Sequence, residues 1–388
     1  MFEESDGRPS QWRDCGAFVD DSKLVYSSDE DVGVPAVNST ERSEPAEVTR
    51  KEQSSSFSEQ NDSSCLSHFR EKMRDCQISE KTSKIIWASW KGSTKGQYGS
   101  AIRKWRQFCD RRDINPFQAS VSQFLDFLTE LFDDGLGYSM INTARSAVSQ
   151  LAMSGYGSDP MVIRFMKGVY QMRPSQPRYS STWDVSVVLA WLATLSPVRF
   201  LSLKQLTLKT VLLLALVFAA RSQTLLLLDL DRMIRTKSTV EFSFPVNALK
   251  QSRPGYVPEK AIVSRYEGNR KVCPFGALLE YIKRTESLRG SESQLFISYC
   301  KPYKKVSSDS ISRWIKTAMC QAGIDTSVFK AHSVRSASTS KAKNVDLPIE
   351  AILKTAGWTR ASTFAKFYHK TVPKVGTSQS EFQEAVLG

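Results

Sequence analysis

The chain has 388 residues, room for two or three domains, and its 41% apolar content is enough to build buried cores. Lys and Arg number 53 against 40 Asp and Glu, a formal net charge of +13. Seven scattered cysteines with no CxxC among them argue against a disulfide framework or a zinc module and fit a reducing compartment.

The opening MFEESDGRPS is too acidic and polar for a secretory signal. The most apolar run, Val211 to Ala220, is too short to span a bilayer, which takes about 20 residues. A buried core helix is expected there, and no membrane partner. The charge is divided unevenly. Residues 1–80 hold 18 acids and 9 bases, so residues 81–388 hold 22 acids and 44 bases. An acidic head on a strongly basic body points the body at a polyanion, with nucleic acid the leading candidate.

Residues 1–82 are rich in Ser, Glu and Asp, as in SSDEDVGVP, and lack sustained apolar periodicity. This composition predicts disorder, with room for a short helix near SHFREKMRDC. From 83 the pattern changes. Tyr98, Ile102, Trp105 and Phe108 recur at helical spacing, and further helices are predicted over VSQFLDFLTELF, over SMINTARSAVSQLAMSG and, after Asp159-Pro160, over MVIRFMKGVYQM. Four helices with short connections predict a small all-α bundle over 83–173. Lys95, Arg103, Lys104, Arg106 and Arg145 are its candidate DNA-binding cations. In MRPSQPRYSST (172–182), three of the first six residues are Pro or Arg, and residues 174–182 read as an extended linker.

Beyond the linker, 183–372 reads as a second domain. Amphipathic WDVSVVLAWLATL precedes the buried apolar helix, which ends near Arg221. The short β-prone runs EFSFPV and KAIVS flank the turn-like NALKQSRPGY, predicting a small antiparallel sheet. GALLEYIKRTESL is helical and QLFISY strand-like. Helices follow over SDSISRWIKTAMCQAG, AHSVRSASTSKA, PIEAILKTAG and TRASTFAKFYHK. The class predicted is mainly α with a small antiparallel sheet.

This second domain carries the residues suited to phosphodiester chemistry. His332 precedes Arg335 by three, which on a helix puts both on one face. Arg grips a nonbridging oxygen with its planar fork, and His moves a proton. HxxR alone is a weak signal. Its context adds Arg221 at the end of an apolar helix, where a cation is expensive to bury without an anion. Lys250 lies in the turn-like β segment, and Gly357-Trp358 stands ten residues ahead of Tyr368. The order is Arg, Lys, His-x-x-Arg, Trp, Tyr. Asp229 and Asp231 are neighbours without partners in a metal-nuclease motif.

That order resembles the tyrosine recombinase (phage integrase-like) superfamily. AARSQTL resembles its first arginine box, AHSVRSASTSKA its HxxR box, and AGWTRASTFAKFYHK its final tyrosine box. INTARSAVSQL, VIRFMKGVYQMRPSQPRY and LKQSRPG resemble recombinases of DIRS/Ngaro-like or Crypton eukaryotic elements. The resemblance implies a SAM-like four-helix core-binding domain and a recombinase catalytic domain that clamp duplex DNA. It implies Tyr368 as nucleophile, with Arg221 and Arg335 on the scissile phosphate and His332 assisting proton transfer. Trp358 would pack or bond there, and Lys250 would act as the acid toward the leaving oxygen. Lys237, Lys260 and Lys271 compete with Lys250 for that last role. No cofactor is implied, neither metal nor ATP. The expected partner is double-stranded DNA, bound as a homotetramer on two sites through a trans-docking tail over 373–388, in the nucleus. Two other readings share these motifs: a non-catalytic DNA-binding protein derived from a mobile element, and a type IB topoisomerase-like relaxer.

Overall fold

Residues 69–152, 155–175, 178–250, 252–253 and 255–372 are described in a computed structural model of the chain. The expectations for most of the acidic head and for the tail at 373–388 lie outside the described residues. The chain divides into two units, Met1–Gln176 and Pro177–Gly388, a boundary inside the predicted linker.

Among its described residues, the first unit is helical. Residues 69–75 form α1, followed by α2 (Glu80–Ala88), α3 (Gly92–Arg111), α4 (Val121–Asp133), α5 (Tyr138–Ala152) and α6 (Pro160–Met172). The predicted stripe on α3 is the one that turns inward: Ile102, Trp105 and Phe108 are buried, and Trp105 stacks on Phe108 and meets Phe127 edge-on at 5.0 Å. Aromatic pairs add to the burial term that holds such a bundle together. Asp159 caps α6 through the amides of Met161 and Val162, with Pro160 filling the first turn. Order starts earlier than the composition predicts. Phe69 and Met73, one helical turn apart on α1, are buried, and Phe69 packs on Trp87 and Trp90. Two apolar residues at that spacing suffice to dock a short helix that is otherwise polar.

The second unit runs α7 (Val185–Thr194), α8 (Leu203–Val217), α9 (Ser222–Leu226), β1 (Met233–Arg235), β2 (Thr239–Phe242), β3 (Ala261–Ser264), α10 (Pro274–Thr285), α11 (Ser308–Gln321), α12 (Ser333–Asn344), α13 (Ile349–Ala356) and α14 (Ala361–Phe367). The strands form one antiparallel sheet in the order β1-β2-β3. Every residue from Leu206 to Leu216 of α8 is buried, which explains its near-continuous hydrophobicity. QLFISY is not a strand. Leu295, Phe296 and Ile297 are buried as an irregular segment with isolated bridges at Gln294 and Ile297. Burial alone accounts for its apolar character.

Lys209 is the exception inside α8. It is 0% exposed, and its Nζ donates to the carbonyls of Leu192, Leu195 and Lys271 at 2.6–2.8 Å, with Ser196 Oγ at 3.4 Å. The ammonium gathers two main-chain oxygens at the end of α7 and one from the turn ahead of α10. Among the described residues, no helix is long and apolar enough to cross a membrane.

Candidate active site

The site begins where α8 ends. Phe218 closes the helix, and Ala219 turns the chain at φ +43°, a conformation uncommon for a residue with a Cβ. That turn presents the Ala219 carbonyl to Arg335 and starts α9 at Arg221, which occupies its N-cap position and is half-buried. Arg335, on α12, is 2% exposed. Its Nη1 donates to Ala219 O at 2.9 Å and its Nη2 to Ala356 O, the last residue of α13. A buried guanidinium needs such acceptors to offset desolvation.

Gly357 shows why a glycine precedes Trp358. It caps α13 at φ +66°, a left-handed position that favours glycine, and the reversal sends Trp358 back toward the helix, its amide donating to Leu353 O at 2.9 Å. The indole then covers Arg335, whose guanidinium carbon lies 4.3 Å from the ring centre. Tyr368 caps the short α14 and is 6% exposed. Its ring lies 4.4 Å from that of Trp358 and 5.4 Å from the Arg335 guanidinium. His332 occupies the N-cap position of α12, just ahead of its first turn rather than within it. Its Nε2 is 3.1 Å from Tyr368 Oη. His332, Arg335, Trp358 and Tyr368, spread over 37 residues of sequence, thus meet in one cluster.

Arg221 lies two residues beyond the carbonyl that Arg335 holds. Lys250 lies exposed on the loop 243–260 between β2 and β3, not in a tight hairpin turn. Glu259, near the end of that loop, pairs with Lys354 of α13 at 3.5 Å. Of the competing lysines, Lys237 lies in the β1–β2 turn, Lys260 pairs with Glu241 at 3.0 Å, and Lys271 gives its carbonyl to Lys209.

In the first unit, Lys104 is exposed on α3, and Arg103 and Arg145 are half-buried. Lys95 lies 4.8 Å from the centre of the Trp87 ring, and Arg106 pairs with Glu71 at 3.2 Å. Arg106 therefore spends part of its charge on a segment whose composition predicted disorder.

Sequence reasoning missed the polar residues that build the cluster. Ser336 and Ser340 of α12 both donate to Tyr368 O, and Ser338 donates to Leu216 O at the end of α8. Trp183 Nε1 donates to Ser333 Oγ at 2.9 Å. After the tyrosine, Lys370 Nζ donates to Tyr179 O, and burial pushes its ammonium below the usual lysine range. Serines spaced by three and four along a helix were the available signal. Among the described residues, no group of three His, Cys, Asp or Glu is arranged to hold a metal.

No protein-family model and no curated protein matches the chain. Solved structures do. The Tn1549 transposon integrase, in complex with transposon right end DNA, is 12% identical at a TM-score of 0.50, covering 84% of this chain and 98% of its own. The XerH site-specific recombinase bound to difH substrate, in a pre-cleavage complex, is 10% identical at 0.50, covering 85% and 94%. Its post-cleavage complex on palindromic difH gives the same identity and score over 75% and 78%. The fold is that of the tyrosine recombinases: a mainly helical chain whose second unit carries a small three-stranded antiparallel sheet.

Proposed function

We propose that this chain is a site-specific DNA recombinase that cuts and rejoins strands through a phosphotyrosine, with Tyr368 as nucleophile. The observation that carries the reading is the 3.1 Å approach of His332 Nε2 to Tyr368 Oη, beside a guanidinium held rigidly by Trp358 and two carbonyls. A phenol beside an imidazole has a route for its proton, and a fixed guanidinium supplies charge for the phosphoryl oxygens.

In the step we assign, Tyr368 Oη bonds to phosphorus, and its proton passes to His332. The bond from phosphorus to the 5′ oxygen breaks, and Lys250 protonates that oxygen. A 3′-phosphotyrosine remains, and attack by a 5′ hydroxyl reverses the step and religates. Arg221 and Arg335 hold the nonbridging oxygens. Trp358 Nε1, buried without a hydrogen-bond partner among the described residues, suits a further donor to the phosphate. The bond energy stays in the phosphotyrosine, so the step needs no ATP.

The partner is duplex DNA, met by a body far richer in bases than acids, with Lys95, Arg103, Lys104, Arg106 and Arg145 as phosphate contacts of the helical unit. We assign four protomers to two sites, residence in the nucleus, and service to a mobile element that inserts a circular DNA intermediate. The test is a pool of nicked suicide duplexes with a randomised central sequence. Wild-type protein should give an adduct that survives denaturation, and Tyr368→Phe should give none. No wild-type adduct, or one that persists without the Tyr368 hydroxyl, would overturn the reading.

A further inference from the structure

His332, the N-cap of α12, and Ser336 and Ser340 within it follow one another at intervals of four, which places them on one side of the helix. All three bond the same residue. His332 Nε2 meets the Tyr368 hydroxyl at 3.1 Å, while Ser336 Oγ and Ser340 Oγ donate to its main-chain carbonyl at 2.9 and 2.8 Å. Ser340 Oγ also accepts from the Lys370 amide at 3.0 Å, so it spans both sides of residue 369. Both serines are buried.

We propose that Ser336 and Ser340 are positioning residues that clamp the Tyr368 main chain onto the helix carrying His332 and Arg335. This rests on the reading of Tyr368 as nucleophile. Tyr368 ends a helix of only two turns, too short to hold its own last residue. Its carbonyl is among those that a helix end leaves without an internal donor. Two buried hydroxyls supply the donors. One rigid element therefore fixes the phenol at both ends, and the reach of the tyrosine side chain sets where the oxygen stands. Attack in line on phosphorus is sensitive to displacements of about 1 Å, which cost about 100-fold in rate.

The first test needs no DNA. The chain holds three histidines, so 15N-histidine labelling gives a readable spectrum of the His332 ring. The Nε2 resonance of His332 should move in Tyr368→Phe and move the same way in Ser336→Ala/Ser340→Ala. If the Tyr368→Phe signal moves and the double-serine signal stays at the wild-type position, the clamp is refuted, whatever the protein's activity. The second test follows adduct formation on the suicide duplexes. The double variant should lose about 100-fold in rate constant, with unchanged end-point amplitude and half-saturating DNA, and Ser340→Thr should restore most of it. A fall in amplitude at an unchanged rate constant would mark the serines as fold-stabilising only and would refute the proposal. Should the double variant not fold, Ser336→Ala alone is read by the same two measurements. Absence of wild-type adduct would strike the nucleophile reading and leave the ring resonance to decide the clamp.

Discussion

The guanidinium carbon of Arg335 lies over the indole of Trp358, 4.3 Å from the ring centre, at the meeting of α8, α12 and α13. The pair does two jobs. It ties main-chain carbonyls from two different helical segments to a third, and it fixes the orientation of a cation beside Tyr368.

Arg335→Gln should therefore hurt folding as well as chemistry. The variant loses charged bonds to Ala219 O and Ala356 O, each worth about 1.5–3 kcal/mol. Chemical denaturation should show a loss of about 3 kcal/mol or more, together with no detectable adduct. A variant as stable as wild type would contradict the anchoring role.

Trp358→Phe separates packing from donation. The smaller ring retains most of the contact with Arg335 and Tyr368, so stability should fall by about 1 kcal/mol. The lost Nε1–H should slow adduct formation by about 100- to 1,000-fold, the order seen when one transition-state donor is removed. An unchanged rate would assign the indole to packing alone.

The hydroxyl of Tyr368 meets His332 of its own chain. Each protomer should then cut with its own tyrosine. A mixture of Tyr368→Phe and Arg335→Gln proteins should yield no adduct on DNA. Recovery of adduct in the mixture would show that the tyrosine is delivered to a neighbour's phosphate.

Lys209 gives a pH prediction. Burial pushes its ammonium down to about 8 from the usual 10.5. A folded-state value below the unfolded one means that the unfolded chain binds more protons between those two values. Stability then rises with pH through that window. The Lys209 contribution should be a gain of about 2 kcal/mol between about pH 8 and pH 9.5, opposed near the top of that window by the Cys109 thiol, which burial pushes up to about 12. Tyr281, whose burial lifts its phenol to about 12, acts in the opposite sense only above its usual 10. Denaturation of wild type at the two pH values, against Lys209→Met, measures the difference. Lys209→Met should lose the slope and be less stable at both, since it strips the donor from three buried carbonyls. An equal slope in both proteins would refute the assignment.

The helical bundle was legible because Ile102, Trp105 and Phe108 repeat with the period of a helix and nothing else competes for those positions. The candidate cluster was legible as an order of residue types, of which His332, Arg335, Trp358 and Tyr368 meet in the fold. α1 was legible only as a possible short helix near SHFREKMRDC, because Phe69 and Met73 are its only apolar anchors. Other features were not legible. QLFISY has the composition of a strand, yet its neighbours offer only isolated bridges. The serines of α12 have no periodic hydrophobic signature, because polar residues ordinarily face water and their burial becomes visible only once the helices they bond are in place. The position of Lys250 on a long loop belongs to the same class, since turn composition does not give register.

Because Arg335 fastens the interior beside Tyr368, a descendant of this chain cannot discard it cheaply. The Tyr368 hydroxyl, with one bond to His332, could be shed at little cost to folding, while the arginine would persist as masonry. In a survey of descendants, retention of that arginine would report a folded protein, and, on the proposed nucleophile role, the tyrosine alone would separate working copies from relics.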